Sequence, residues 1–204
     1  MLSNEDRKQI EAVITESETG GPAEIVVAVT RASDSYAAWR ALGTALLTLS
    51  TTLWVHYLYP QVHVEWLWLL EAGLGVVFWM VCGLPWVLRM LAPDHVEQKA
   101  VHRHALITFL NAGVAHTARR TGVLILVSEL ERRVEILADL GIHERVGVSG
   151  WQTHVDRIVD SVRQGHAVEG ICQSVRAIAA EIHHVLPVVD KNLNELPNRV
   201  LDVE

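Results

Sequence analysis

From Ser3 to about Ser17, apolar residues recur at Ile10, Val13 and Ile14. That is a helical spacing, with Ser3 placed to cap the helix and Asp6 three positions on to complete a capping box. After a break at Thr19-Gly20-Gly21-Pro22, Ala23–Thr30 is a short apolar, β-branched run, the pattern of a strand buried on both faces. Further on, Pro93-Asp94 opens a helix expected to reach about Arg119, with Val96, Ala100, Ile107, Leu110 and Val114 along one face. Gly122–Ser128 and Arg133–Asp139 read as two strands joined by the polar turn Glu129-Leu130-Glu131-Arg132. Two more helices follow, from about Ser149 to Gln164, stopped by Gly165, and from about Ala167 to Val185, stopped before Pro187. The remaining polar tail, with scattered apolar residues, reads as extended, docked or loose.

Between the first strand and the rest the pattern changes. From Arg40 to Arg89 the only charged residues inside are Glu65 and Glu71. Ala41–Leu58 and Trp66–Leu88 each approach the about 20 residues that a helix needs to cross a hydrocarbon core, and the short link between them makes the pair antiparallel. Trp54, Tyr57, Tyr59, Trp66 and Trp68 gather around that link, and Trp39 and Trp86 lie near the other ends, as aromatic belts do. Arg31 and Arg40 precede the hairpin, Arg89, Lys99 and Arg103 follow it, and the link has no Lys or Arg, so both flanks are expected in the cytoplasm. A lone strand before the hairpin and two after it can share one sheet only if both flanks lie on one side of the membrane. The pattern thus divides the chain into 1–38, the first part of an α/β domain; 39–91, a transmembrane hairpin; 92–186, the second part of the domain; and 187–204, a tail.

Composition narrows the function. A net charge of -7 and the absence of a Lys/Arg run exclude a nucleic-acid surface. Cys82 and Cys172 have no metal-site or disulfide spacing and read as buried thiols. Candidate oxygen ligands for a hard divalent cation are Asp34 and Asp139, which follow strands, and Glu144. A helix cap or a solvated strand end explains the same carboxylates, and the two readings stay open here. Glu24 and Glu135 sit in strands and are expected to reach water or an arginine such as Arg133 or Arg119, with Glu135 pointing away from the face of Val134 and Ile136. Glu71 lies near the outer interface, and His56 and His63 flank the same link. His95 and His102 share a helix face, without the cysteine or carboxylate partners of a zinc site. Ser149, after Gly147, caps a helix whose N-terminus could bind an anion.

The runs AEIVVAV, RTGVLILVSELERRVEILADLGI and VRQGHAVEGICQSVRAIAAEI resemble the TPM domain family, which includes a thylakoid photosystem II repair protein and nematode acetylcholine-receptor modulators. In particular they resemble a bacterial branch in which a membrane hairpin interrupts the domain after its first strand. The resemblance implies an α/β fold, an α/β/α sandwich of the TPM type, with calcium or another divalent cation in some members and acid phosphatase activity proposed for a plant member. The family strand Gly-Val-Leu matches Gly122, Val123 and Leu124, and the turn behind Asp139 and Gly141 matches the family's acidic or glycine-containing turn. Two departures weaken the carry-over of a metal: Thr121 stands where many relatives have Asn, and the turn reads Ala138-Asp139-Leu140-Gly141 rather than Gly-Tyr-Gly-Leu-Glu. The expected function is a domain anchored to a bacterial inner membrane, both termini cytoplasmic, acting through membrane-protein partners in their assembly or maintenance. The alternative is a divalent-metal-dependent phosphatase. Ala72, Gly73 and Gly75 supply small residues for packing between hairpins, a route to a homo-oligomer.

Overall fold

The computed structural model describes residues 3–19, 22–61, 63–117, 119–142, 148–186, 196 and 198–203. The chain forms two compact units, one from residues 1–33 and 98–204 and the other from residues 34–97.

The first unit is built on strands that are far apart in sequence. β1 (Glu24–Thr30) and β2 (Gly122–Ser128) pair in parallel, Glu24 opposite Gly122 and Thr30 opposite Ser128. β3 (Arg133–Ala138) returns antiparallel to β2, and β4 (Leu201–Asp202) runs parallel along the far edge of β1, giving the order β3-β2-β1-β4. β1 and β2 are buried along their whole length, as their unbroken apolar runs require. Alternate residues serve opposite faces. Ile25, Val27, Val29, Val123, Ile125 and Val127 pack toward helices α1 (Asn4–Glu18), α6 (Val148–Arg163) and α7 (Ala167–Val185), joining Ile10, Ile14, Ile158, Ile178 and Ile182. Val26, Ala28, Leu124 and Leu126 pack on the other face against Val101 and Ala105 of α5 (Asp94–Asn111). Helices cover both faces of the sheet, an α/β/α sandwich. Each fully buried Ile or Leu contributes about 1.5–3 kcal/mol of transfer free energy.

Local chemistry sets the helix ends. The capping box of α1 is present, with Asp6 N–H donating to Ser3 Oγ at 3.1 Å and Ser3 N–H to Asp6 Oδ2 at 2.8 Å. α5 is shorter than its pattern suggests: it ends at Asn111, and Gly113 at φ 75° turns the chain into a 3-10 turn over Val114–His116. Its buried stripe also differs. Val101, Ala105 and Thr108 face inward, small residues that allow close approach to the sheet, while Ile107 and Leu110 are 52% and 58% exposed. Ala100 and Val114 are buried as the pattern implied.

The tail docks on β1. Leu196 and Val200 are buried on opposite faces of the sandwich, Val203 N–H donates to Val29 O at 3.1 Å, and Arg7 Nη2 donates to Asp202 Oδ1 at 2.7 Å. The Arg7 guanidinium holds the Asp202 carboxyl below the usual carboxylate range.

In the second unit, α2 (Ala37–Leu58) and α3 (Val64–Cys82) form a hairpin joined by residues 59–63. The second apolar run is not one continuous helix to Leu88. α3 stops at Cys82, and Pro85, which has no N–H to donate, starts the short α4 (Pro85–Leu91). At the open end of the hairpin Arg40 donates from Nε to Trp79 O at 2.9 Å and lies 4.2 Å from the Trp79 ring centroid. Threonines in α2 turn their hydroxyls back to carbonyls one turn earlier, Thr44 to Arg40 O and Thr48 to Thr44 O at 2.8 Å each. Their polar groups are thereby satisfied inside the helix. Among the described residues one helix, Glu65–Cys82, is long and apolar enough to cross a membrane. α2 has the length, and its threonines lower its hydropathy.

The two exposure patterns on α5 and α7 give a direct test. Ile178→Ala empties a site with 0% exposure and is expected to cost about 2–5 kcal/mol. Leu110→Ala, an equally apolar position by sequence, is expected to stay within about 0.5 kcal/mol. Thermal melting of both variants in the same detergent checks the contrast.

Candidate functional site

The carboxyl ends of β1 and β2 open onto a crevice of about 1070 Å³. In α/β sheets, ligands sit beyond such strand ends. Its floor is apolar, with Val29, Val127, Val134 and Ile171, and its rim carries Arg132 and Arg133 from the start of β3, His166 before α7 and Arg176 on α7. Acids stand among these cations, Asp6, Glu129 and Glu169, so the rim is mixed in charge. Arg176 Nη2 lies 3.2 Å from Glu16 Oε2 in a largely exposed pair, which holds little energy. Cys172 also lines the crevice; burial pushes its thiol up against the opposing pull of Arg176, so it is a poor nucleophile near neutrality.

Beside the crevice three buried residues clamp the exit of β1. Ser33 N–H donates to Glu131 Oε1 at 2.9 Å, Ser33 Oγ and Ser128 Oγ share a hydrogen bond at 2.9 Å, and Ser128 Oγ donates to Glu131 Oε2. The turn after β2 is thus tied to the point where the chain leaves the sheet. Two further carboxylates, Glu18 and Glu24, are buried at the opposite end of β1. Glu18 accepts from Ile25 N–H at 2.8 Å and Glu24 from Leu196 N–H at 3.2 Å, so Glu24 helps to hold the tail. Burial pushes the Glu18 carboxyl up to about 7, the hydrogen bond from Ile25 pulling against it and the Glu24 charge adding to it.

Of the sequence candidates for a cation, Asp34 belongs to the second unit and Asp139 to the first. Antiparallel β3 delivers Asp139 beside Gly122, at the end of the sheet opposite Thr30. Asp34 accepts from Tyr36 N–H at 3.2 Å, which gives it a turn-forming role. Glu144 lies outside the described residues. Asp139 is buried; its Oδ1 accepts from Leu140 N–H at 2.7 Å and lies 3.9 Å from Arg120 Nη1, and its Oδ2 has no hydrogen-bond partner among the described residues. Gly141 behind it is forced by space, since a Cβ there would stand 2.5 Å from Arg120 O. Calcium takes six to eight oxygens, and among the described residues no three His, Cys, Asp or Glu side chains gather as a metal group. At Asp139 the described residues offer one open carboxylate oxygen beside a guanidinium.

Glu135 points as its alternation implied. It faces α5, where His102 Nδ1 stands 2.9 Å from Glu135 Oε1, while Val134 and Ile136 belong to the opposite face. On α6, His154 Nε2 lies 2.8 Å from Glu181 Oε2. The sequence pattern did not single out Ser33, Ser128, Glu131 and Glu18, polar residues at or beside element ends. Such residues give no signal that water at an element end does not explain equally well.

Residues 88–181 match the model of the TPM domain. That segment holds α5, β2, β3, α6 and most of α7, and the sheet is completed from outside it by β1 and β4. Among solved structures, the chain is similar to the BA42 protein of the psychrophilic bacterium Bizionia argentinensis, determined by NMR. The TM-score is 0.63 at 18% identity, covering 100% of this chain and 96% of that one, and it bears on the fold alone. No curated protein matches the chain.

Two substitutions test the buried acids. The folded state keeps on Glu18 a proton that the unfolded chain sheds near the ordinary value of 4.5, so this stabilisation is complete below that pH and is lost as pH rises to about 7. Wild type is therefore expected to lose melting temperature between those values relative to Glu18→Gln, which keeps an acceptor for Ile25 N–H; parallel pH profiles would contradict it. Glu131→Ala strips two buried donors of their acceptor and is expected to cost at least about 2 kcal/mol in thermal or denaturant unfolding.

Proposed function

We propose that the chain is a membrane-anchored TPM-type domain, held at the cytoplasmic face of a bacterial inner membrane and acting through protein partners in the assembly or maintenance of membrane proteins. The observation that carries the anchor is the surface of the hairpin. Trp54, Tyr57, Trp66, Trp68 and Met80 are 65–83% exposed, with Tyr57 the highest, and apolar neighbours such as Leu53 and Leu69 lie open beside them. Soluble monomers rarely show so large a contiguous apolar surface. A bilayer would cover it and would place the aromatic rings of the link at one interface.

The sheet supports the topology. β1 and β2 hydrogen-bond side by side although the hairpin lies between them in sequence, so an inserted hairpin must return to the side from which it left. Lys and Arg flank the hairpin and are missing from its link, which favours the cytoplasm for that side. The crevice, with an apolar floor and a rim of both charges, suits a protein segment that buries one apolar side chain and pairs its polar neighbours.

In isolated membranes the chain is expected to stay in the pellet after alkaline carbonate, and Leu53→Glu combined with Met80→Glu to release it. A reporter fused after Glu204 that works only in the periplasm would overturn the orientation. A photoreactive residue in place of Gln173, at the crevice, should give protein adducts in native membranes. Hydrolysis of a generic phosphate ester by the purified chain, abolished in a folded Asp139→Asn variant, would instead favour the metal-dependent phosphatase.

A further inference from the structure

α5 has an outward face of unusual make-up. Its exposed residues recur in pairs one turn apart, Gln98 and Lys99, His102 and Arg103, Leu106 and Ile107, Leu110 and Asn111. The first two pairs are polar or cationic. The next positions are not: Leu106, Ile107 and Leu110 are 43%, 52% and 58% exposed. Nothing in the first unit needs these three for its core, which α5 already supplies through Val101 and Ala105. His102 pairs with Glu135, and Lys99 and Arg103 are the other basic residues of the outer face near the apolar group.

Two observations indicate what covers this face. Only Ala92 and Pro93 separate α5 from α4, where Trp86 and Met90 are 63% and 78% exposed, so α5 follows directly in the chain on the apolar segment that the anchor reading puts at the membrane. The face also combines cations with aliphatic side chains about one turn further on, the make-up of a helix lying in the headgroup region of an anionic leaflet. A water-soluble partner would explain the aliphatic residues without the neighbouring cations.

We propose that the outer face of α5, from Lys99 to Leu110, is an interfacial lipid contact: Leu106, Ile107 and Leu110 enter the headgroup–acyl boundary of an anionic membrane surface, and Lys99 and Arg103 meet its phosphates. The proposal rests on the hairpin being the membrane anchor. It adds a second attachment, which fixes the tilt of the domain over the surface rather than leaving it to swing on its stem.

The test uses the full chain in phosphatidylcholine vesicles containing phosphatidylglycerol, in a Cys82→Ser, Cys172→Ser background confirmed as folded by melting. Nitroxides are attached at Leu106→Cys and Leu110→Cys, at Leu53→Cys and Met80→Cys in the hairpin, and at Gln173→Cys as an aqueous reference. Labels at 106 and 110 are expected to collide more with oxygen and several-fold less with a water-soluble nickel complex than the label at 173, and to lose that difference when phosphatidylglycerol is omitted. If 53 and 80 report lipid while 106 and 110 match 173, the proposal fails and the anchor stands. If 53 and 80 also match 173, the anchor fails and the proposal with it. Labels at 106 and 110 shielded from both reagents mean that protein covers the face, and a lipid contact that persists without phosphatidylglycerol removes the headgroup pairing; either result overturns the proposal.

Discussion

Everything in the first unit depends on the parallel ladder between β1 and β2. Neither strand has a polar face to show to water, so each is tolerable only when it is paired and covered on both sides. The seven-residue register from Glu24–Gly122 to Thr30–Ser128 therefore joins the two ends of a long insertion. The Ser33–Ser128–Glu131 clamp sits where this constraint is sharpest, at the point where one chain end departs and the neighbouring strand turns. Parallel pairing also fixes the geometry of the site: both strands end on the same side, and the crevice opens there.

Much of this architecture was legible in the sequence because the signals were redundant. The β-branched runs of β1 and β2, the Ser3–Asp6 box and the alternation that turned Glu135 away from Val134 each had one physically cheap solution. α5 was less legible. It has apolar residues on both sides, and periodicity alone cannot choose between a stripe of Val101 and Ala105 and one containing Ile107 and Leu110. Close packing of small side chains made that choice. The helix end was misread for a related reason: the apolar pattern continues past Asn111, but Gly113 adopts a left-handed turn.

The site was harder still to read. Asp34 and Asp139 both follow strands, which made them look alike as ligands, yet only the antiparallel pairing of β3 shows that Asp139 returns beside Gly122 at the start of β2. Strand direction is a property of pairing, and a single chain segment does not carry it. Glu18 and Glu24 were legible as residues and not as a buried pair, because their burial depends on Leu196, Asn198 and the docked tail far along the sequence. The match over residues 88–181 has the same limit: it covers α5, β2, β3, α6 and most of α7 and omits β4 and β1, the strand between β2 and β4.

The position of β1 has a consequence for biosynthesis. During translation β1 emerges before the hairpin, while β2 and β4, its neighbours on either side, are made only afterwards. For that interval a fully apolar strand has no sheet to join, beside ribosomes and other nascent chains. If the hairpin engages the membrane as it emerges, it holds β1 near the lipid surface until its neighbours arrive. On that reading the insertion point after β1 would act as a timing device, coupling arrival of the hairpin to completion of the sheet.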